Sequence, residues 1–206
     1  LQEMGAQIDG LGTRTLEVQG VDRLRSGTFR NTPDRIELGT FLLMAATASP
    51  PGTPVKIRKG THEHLGPVFK DKLAATGVDV SYDDETVTVT RPDALRPVSI
   101  ETAPFPGFAT DLQAQWTVLL GTTDGTATVT DTIYDDRFKH VPELQRLGME
   151  IGVDGNTATV RGGAPLQGAK VMSTDLRASV SLVMAGMIAE GRTDVLRVYH
   201  LDRGYE

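Results

Sequence analysis

Two kinds of apolar pattern recur along this chain, and each predicts a different kind of helix. Residues 39–46 and 181–187 are almost uniformly apolar, which is typical of helices that are buried on every side. Residues 68–73 and 141–147 carry apolar side chains on one face only, as helices at a protein surface do. The chain is therefore predicted to place apolar helices inside the fold and amphipathic helices outside it.

Short segments in which polar and apolar residues alternate predict strands with one buried face. Glycines precede them at a regular spacing, because Gly5, Gly77 and Gly148 are 72 and 71 residues apart. The alternating segments are 15–18, 86–89 and 157–160, and further β-like segments after the apolar helices are 55–57, 127–129 and 194–196. A repeat of this length is typical of a β/α unit. We predict an α/β fold built from repeats of helix, strand, helix, strand and strand, with buried helices surrounded by sheets.

An aspartate opens each of the three predicted buried helices. These residues are Asp34, Asp111 and Asp175, which are 77 and 64 residues apart. Aspartate at a helix start accepts hydrogen bonds from unpaired backbone N–H groups and complements the positive end of the helix dipole. Thr110 and Gln113 also have the spacing of a capping box at the second start. The pattern alone leaves two roles open for Asp111, helix capping and chemistry, and it favours capping.

Composition excludes several classes of function. The net charge of −6 on 206 residues argues against non-specific binding to nucleic acid, which needs a cationic face. No apolar run reaches the roughly 20 residues that span a bilayer, so we expect no membrane partner. The sequence has no cysteine and therefore offers no thiolate ligand or cysteine nucleophile. His62, Glu63 and His64 lack the spacing of a zinc motif, and we expect no metal site.

Both ends of the sequence interrupt a predicted element. Residues 1–6 have the character of the last turn of a helix that ends at Gly5. Residues 201–206 follow a predicted strand and stop where a helix is expected to begin. We therefore expect the sequence to be part of a longer protein.

Five ordered motifs give the chain a resemblance to a known family. They are PDRIELGTF at 33–41, TDLQAQ at 110–115, RFKHVPEL at 137–144, TDLRAS at 174–179 and HLDRGYE at 200–206. In this order they resemble the UDP-N-acetylglucosamine 1-carboxyvinyltransferases, a group of enolpyruvyl transferases. The resemblance implies a fold of two inverse α/β prisms. Residues 1–31 would end the first prism domain, and residues 32–206 would form most of the second, truncated at its C-terminus.

The resemblance also implies an activity. Members transfer the enolpyruvyl group of phosphoenolpyruvate to the 3-hydroxyl of UDP-N-acetylglucosamine by addition and elimination, and release phosphate. This is the first committed step of peptidoglycan synthesis, so a cytoplasmic enzyme with a role in cell wall biogenesis, cell shape and cell division is implied. The resemblance implies these two small-molecule substrates and no cofactor. The missing N-terminal half of the same chain would complete the cleft, and the fragment alone is expected to be inactive.

Two alternative functions stay open beside this one. The first is a 3-phosphoshikimate 1-carboxyvinyltransferase-like enzyme, which shares the fold and phosphoenolpyruvate. The second is a non-catalytic paralogue that acts as a binding or regulatory module. The charged set Asp111, Arg137, Arg177 and Arg203 argues against the second alternative, because a module without chemistry does not need all four.

The motifs carry the positions of the family's site residues. Asp111 matches the base that takes the proton of the sugar hydroxyl, and Asp175 matches a carboxylate implicated in proton handling. The substrate-binding positions that the resemblance implies are Thr110, Asp111, Ile133, Tyr134, Arg137, Arg177 and Arg203. Of these, Arg177 and Arg203 would bind the phosphate and carboxylate of phosphoenolpyruvate, because a guanidinium group recognises both in a bidentate manner.

Arg177 is also informative without the resemblance. A cation in the first turn of a helix opposes the helix dipole, so it needs an anionic partner. Asp175, two residues earlier, and a bound anion are both open as that partner. His140 and His200 lie inside the motifs and are expected to orient their neighbours through hydrogen bonds rather than to act as catalysts.

Overall fold

The computed structural model describes residues 1–60, 63 and 65–205, and the chain divides into two compact units, Leu1–Thr32 and Pro33–Glu206. The first unit begins with a short 3-10 turn, Gln2–Met4, that ends at Gly5 with a left-handed φ of 98°. Strands β1 (Gln7–Asp9) and β2 (Glu17–Gln19) then form an antiparallel pair. The predicted end of the first turn at Gly5 is therefore present. Strand β2 overlaps the alternating segment 15–18 in which a strand is predicted.

The second unit contains five helices. They are α1 (Arg35–Ala48), α2 (Pro67–Ala75), α3 (Gln113–Gly121), α4 (Val141–Arg146) and α5 (Leu176–Ile188). Helices α1, α3 and α5 contact one another, and every residue of α3 is buried. Helices α2 and α4 bury only two residues each. The division into interior and surface helices that the apolar pattern predicts is confirmed.

Three sheets surround the inner helices. The strands are β3 (Pro54–Arg58), β4 (Asp79–Asp83), β5 (Thr86–Thr90), β6 (Ile100–Glu101), β7 (Thr126–Thr130), β8 (Glu150–Asp154), β9 (Thr157–Arg161), β10 (Lys170–Met172) and β11 (Asp194–Leu196). The sheet orders are β3-β5-β4, β6-β7-β9-β8 and β10-β11. Val87 and Val89 of β5 are fully buried while Thr86, Thr88 and Thr90 on either side of them are partly exposed, which confirms the predicted alternation.

The repeat is present in the order of the elements. The series α1-β3-α2-β4-β5 is followed, after the short strand β6, by α3-β7-α4-β8-β9. After β10, α5 and β11 begin a third copy. In both complete copies the last strand lies between the other two strands and is antiparallel to each. This arrangement confirms the predicted α/β class and the unit of helix, strand, helix, strand and strand.

Aromatic side chains fix α3 in the interior. The indole of Trp116 is fully buried and packs edge-on against Phe108 and Phe69, with ring centroids 5.2 and 6.4 Å away. Its Nε1 donates to the carbonyl oxygen of Val98 at 3.0 Å, so the polar end of the ring is satisfied inside the core. The position of α3, which follows two of the expected site residues, is thereby held from one side.

Two expectations from the sequence concern membranes and metals. In the described part of the chain, no helix has both the length and the apolar character needed to cross a bilayer. His62 and His64 lie outside the described residues. Within the residues that are described, no group of three or more potential ligands could hold a metal ion.

Candidate active site

The starts of α1 and α5 use their aspartates as caps. Asp34 Oδ1 accepts hydrogen bonds from the N–H groups of Ile36 at 2.7 Å and Glu37 at 3.3 Å. Asp175 Oδ1 accepts in the same way from the N–H groups two and three residues later, at 2.8 and 3.0 Å. These bonds satisfy N–H groups that have no partner within the helix. The predicted capping role of both residues is confirmed.

The start of α3 is built differently. A turn of 3-10 helix, Thr110–Leu112, precedes α3, so Asp111 lies inside a turn rather than at its cap. Neither the 3-10 turn nor α3 has a side-chain cap. The capping box of Thr110 and Gln113 expected from the sequence is therefore wrong. Thr110 Oγ1 instead donates to Asp131 Oδ2 at 2.6 Å, and the Asp111 carboxylate is left for other partners.

Two arginines share that carboxylate. Arg137 Nη2 lies 3.0 Å and Arg177 Nε lies 3.1 Å from the same oxygen, Asp111 Oδ1. The side chains are partly open to solvent, with exposed fractions of 37% for Asp111, 26% for Arg137 and 24% for Arg177. Two cations around one carboxylate leave a net positive charge. A partly desolvated site of this kind favours an anionic ligand.

This geometry decides the partner of Arg177. Its backbone N–H donates to Asp175, but its guanidinium pairs with Asp111 across the interior. An ion pair between the side chains of Arg177 and Asp175, which the sequence left open, is not formed. The unfavourable position of a cation at the start of α5 is offset by the carboxylate at the start of α3.

The loop after β7 brings in the next three expected residues. Asp131 Oδ1 accepts the N–H groups of Ile133 at 2.9 Å and Tyr134 at 3.1 Å. The Tyr134 ring is 56% exposed and carries the guanidinium of Arg137 at 5.1 Å from its centroid, a cation–π contact. Asp136 has a left-handed φ of 55°, a conformation that Asp tolerates better than most residues. The loop thus directs Arg137 back toward Asp111.

A neutral histidine lies beneath this cluster. Burial lowers the pKa of His140 to about 4, although the negative charge of Asp175 and a hydrogen bond to the backbone of Arg137 act in the opposite direction. The ring is 2% exposed, and its Nε2 has no hydrogen-bond partner in the described structure. The expected orienting role agrees with this contact to the backbone of Arg137. Asp175 retains one oxygen, Oδ2, whose described contact is a 3.4 Å bond from Thr174.

Arg203 stands apart from the cluster. It ends the 3-10 helix Val198–Arg203, is exposed, and pairs with no described residue. The following residues hold this segment in place, because Tyr205 Oη lies 2.8 Å from Thr40 Oγ1 in α1 and Gly204 lies against Leu176 in α5. The structure therefore gathers Thr110, Asp111, Ile133, Tyr134, Arg137 and Arg177 into one region and leaves Arg203 as a free cation on a segment that contacts α5.

Asp131 was not among the residues singled out from the sequence. It accepts three hydrogen bonds that fix Thr110 and the loop of Ile133 and Tyr134. An aspartate just after a strand, followed by backbone N–H groups two and three residues later, is the signal of an Asx turn. That local signal predicts the two backbone bonds. The third bond, to a residue 21 positions earlier, has no local signal.

Comparison with known proteins agrees with this fold. Residues 1–206 match the model of one family, EPSP synthase (3-phosphoshikimate 1-carboxyvinyltransferase). The chain therefore belongs to the EPSP synthase family. The chain is also 52% identical to the UDP-N-acetylglucosamine 1-carboxyvinyltransferase of Ruegeria pomeroyi and 50% identical to that of Chlorobaculum parvum, and both matches cover all of this chain. The resemblance drawn from the five motifs is confirmed.

Solved structures support the fold. The enolpyruvyl transferase NikO from Streptomyces tendae matches 99% of this chain with a TM-score of 0.87 and 29% identity. An EPSP synthase from Acinetobacter baumannii matches with a TM-score of 0.78 at 16% identity, which supports the fold alone. The chain spans about half the length of the proteins it matches, 48% for both curated relatives and for NikO.

Proposed function

We propose that the full-length protein transfers the enolpyruvyl group of phosphoenolpyruvate to the 3-hydroxyl of UDP-N-acetylglucosamine. The observation that carries this proposal is the Asp111 carboxylate, which caps no helix and lies between Arg137 and Arg177. A carboxylate next to two cations, in a region partly open to solvent, can accept a proton from an alcohol beside a bound anion.

In the first half of the reaction, Asp111 takes the proton of the sugar 3-hydroxyl while the hydroxyl oxygen bonds to C2 of phosphoenolpyruvate. An acid side chain of the further half of the protein, which the proposal includes, gives a proton to C3. The product is a tetrahedral ketal that still carries the phosphate. In the second half, the bond from C2 to the phosphate oxygen breaks, and the phosphate leaves with the proton that Asp111 had taken. C3 gives up a proton to a carboxylate, which leaves the enolpyruvyl ether. We assign the removal of the C3 proton to Oδ2 of Asp175, because Oδ1 is occupied by helix capping and the described contact of Oδ2 is a long bond of 3.4 Å from Thr174.

The remaining residues bind the substrates in this proposal. Arg137, Arg177 and Arg203 supply positive charge for the phosphate and carboxylate of phosphoenolpyruvate, since guanidinium groups suit both. Thr110, Ile133 and Tyr134 face the sugar nucleotide from the segments before α3 and after β7. The guanidinium of Arg203 is available to a ligand, because no described residue pairs with it.

UDP-N-acetylglucosamine is the preferred acceptor over shikimate 3-phosphate. The support is the level of identity, 52% to a protein named for the sugar nucleotide against 16% to an EPSP synthase. The proposal includes peptidoglycan synthesis as the process, with its consequences for cell shape and cell division, and the cytoplasm as the location. It also includes a further half of the same protein that completes the cleft.

The test measures inorganic phosphate released by the full-length protein. We expect release when phosphoenolpyruvate and UDP-N-acetylglucosamine are both present, and none when either is omitted. Shikimate 3-phosphate in place of the sugar nucleotide is the control for the alternative enzyme, and release with that acceptor alone would replace the proposal. If the folded protein releases no phosphate with either acceptor, the result would support the non-catalytic alternative.

A further inference from the structure

Asp131 is a buried carboxylate at the edge of the site. It follows β7 directly and is 2% exposed. Its own N–H donates to the carbonyl oxygen of Asn156 at 2.9 Å, which anchors it to the turn between β8 and β9. The carboxylate therefore has a fixed position relative to the sheet, and whatever it binds is fixed with it.

Hydrogen-bond donors, rather than a cation, surround the carboxylate. Oδ1 accepts the N–H groups of Ile133 and Tyr134 at 2.9 and 3.1 Å, and Oδ2 accepts the hydroxyl of Thr110 at 2.6 Å. Among the described residues it has no ion-pair partner. Burial of a charge without a counter-charge is costly, and a neutral acceptor could hold the two backbone groups alone. The charge is best explained by the need to hold three donors on two segments at once.

The two segments joined by Asp131 are the ones that carry the candidate base and its cation. Thr110 is adjacent to Asp111, and the turn of Ile133 and Tyr134 leads to Arg137, which stacks on Tyr134 and pairs with Asp111. The two segments are therefore joined at two points, by the hydrogen bonds of Asp131 and by the contact between Asp111 and Arg137. Loss of either bond would let one segment shift against the other.

We infer that Asp131 is a positioning residue that holds Asp111 and the loop of Tyr134 in register for reaction with the sugar hydroxyl. The inference rests on the proposed function. A displacement of about 1 Å in a reacting group can cost on the order of 100-fold in rate, so the register of these segments has a direct effect on turnover. In the proposal phosphoenolpyruvate also contacts Arg177 and Arg203, which lie on other elements, and only its third arginine, Arg137, follows this loop. Its binding is therefore affected less than that of the sugar nucleotide.

The variant that separates the two bonds is Asp131→Asn. Asparagine keeps an oxygen for the two backbone N–H groups but replaces the oxygen that accepts from Thr110 by an uncharged N–H₂ group. The short bond from the hydroxyl to a carboxylate is then lost, and at most a longer and weaker bond from the N–H₂ group to Thr110 Oγ1 takes its place. In the full-length protein we expect kcat to fall by about 10- to 100-fold at a temperature where circular dichroism shows full folding. The KM for UDP-N-acetylglucosamine should rise, while the KM for phosphoenolpyruvate should change by less than about threefold, a split that simple loss of folded protein cannot produce. Asp131→Glu retains the charge and should recover most of the lost kcat.

Asp154→Asn is the matched control. Asp154 is an exposed carboxylate at the end of β8 in the same sheet. The kcat and both KM values of the Asp154→Asn protein should equal those of the wild type. A wild-type-like kcat for Asp131→Asn, or a loss that only follows the folded fraction, would overturn the inference. An inactive wild-type protein would instead reject the proposed function.

Amide hydrogen exchange tests the positioning itself without any substrate. Asp131→Asn should speed exchange of the Leu112 N–H, which closes the 3-10 turn onto Ala109, by several-fold. The amides of Ile133 and Tyr134 should stay protected, because their acceptor oxygen is kept. Unchanged exchange in the 3-10 turn would overturn the inference even where the protein has no activity.

Discussion

The starts of α1 and α3 have the same residue in equivalent places of two repeats and use it for different purposes. Asp34 lies directly before α1 and binds the backbone of that helix through Oδ1. Asp111 lies inside a 3-10 turn before α3, binds no backbone group of that helix, and meets Arg137 and Arg177 instead. In a repeated fold, a change in one backbone turn can therefore release the aspartate of one copy from helix capping.

The packing of α1 against the 3-10 turn is a physical cause of the difference. Leu112 is 3% exposed and lies against Gly39 of α1 so closely that a Cβ on Gly39 would come within 2.6 Å of Leu112 Cδ1. The apolar side chain of the turn is thereby directed inward, into contact with α1. Its neighbour Asp111, at 37% side-chain exposure, stays accessible to ligands.

Substitution of the aspartate by asparagine at the starts of α1 and α3 should give the largest difference in turnover between the two sites. Asparagine caps a helix as well as aspartate does, so Asp34→Asn should retain stability and turnover. Asp111→Asn removes the candidate base and should lower kcat by about 10²- to 10⁴-fold, with binding of UDP-N-acetylglucosamine largely kept. Phosphate release and calorimetric titration of the sugar nucleotide measure the two effects. Near-normal turnover of Asp111→Asn would return this residue to a structural role.

Arg177 links the starts of α3 and α5, so its substitution tests whether that link also binds substrate. Arg177→Lys keeps a positive charge but loses the planar fork that can hold a carboxylate and an anion together. We expect kcat/KM for phosphoenolpyruvate to fall by about 100-fold, which corresponds to the loss of strong bidentate hydrogen bonds. Steady-state kinetics at varied phosphoenolpyruvate measure it. Arg192→Lys, at an exposed ion pair, is the control and should have wild-type kinetics.

The buried ring of His140 predicts a dependence of stability on pH. Its pKa is lowered from 6.5 to about 4 by burial, so the unfolded chain binds a proton there at a higher pH than the folded one. The stability contributed by the neutral ring is complete above pH 6.5 and is lost as the pH falls toward 4. Between pH 7 and 5 this is about 2 kcal/mol, and His140→Gln should lose that much less than the wild type in denaturant unfolding. Equal pH slopes for both proteins would contradict the assignment.

Gly39→Ala should give the smallest effect. The new methyl group collides with Leu112, and overpacking costs about 1–3 kcal/mol, while alanine improves helix propensity by about 1 kcal/mol. We expect a net loss of about 1 kcal/mol in unfolding free energy and a moderate loss of turnover from the displaced 3-10 turn. Gly186→Ala in α5, where the nearest atom is 3.1 Å away, is the matched control. A more stable Gly39→Ala protein with normal turnover would show that the close contact is unimportant.

The sequence predicts those parts of the molecule that depend on local pattern. Uniformly apolar helices, alternating strands and the caps of Asp34 and Asp175 follow from periodicity and from hydrogen bonds within three residues. The capping box at Thr110 fails because the 3-10 turn moves the start of α3, and that turn packs against α1 through Leu112. Local spacing carries no information about such a contact.

The site is predicted in part for the same reason. The motifs place Asp111, Arg137 and Arg177 correctly in one region, but the pairing of the two arginines on one oxygen joins residues 26 and 66 positions apart in the chain. Asp131 escapes notice because its bond to Thr110 crosses between two segments. Long-range pairs of this kind depend on the assembled fold.

The central claim is that the aspartate caps the helix at two of three equivalent helix starts and does not cap it at the third. Amide hydrogen exchange in the alanine variants tests this claim most directly. Asp34→Ala and Asp175→Ala should speed exchange of the N–H groups two and three residues later by about 5- to 10-fold, because a cap contributes about 1 kcal/mol. Asp111→Ala should leave the corresponding N–H groups at the start of α3 unchanged. Faster exchange there, equal to that at the other two starts, would contradict the account.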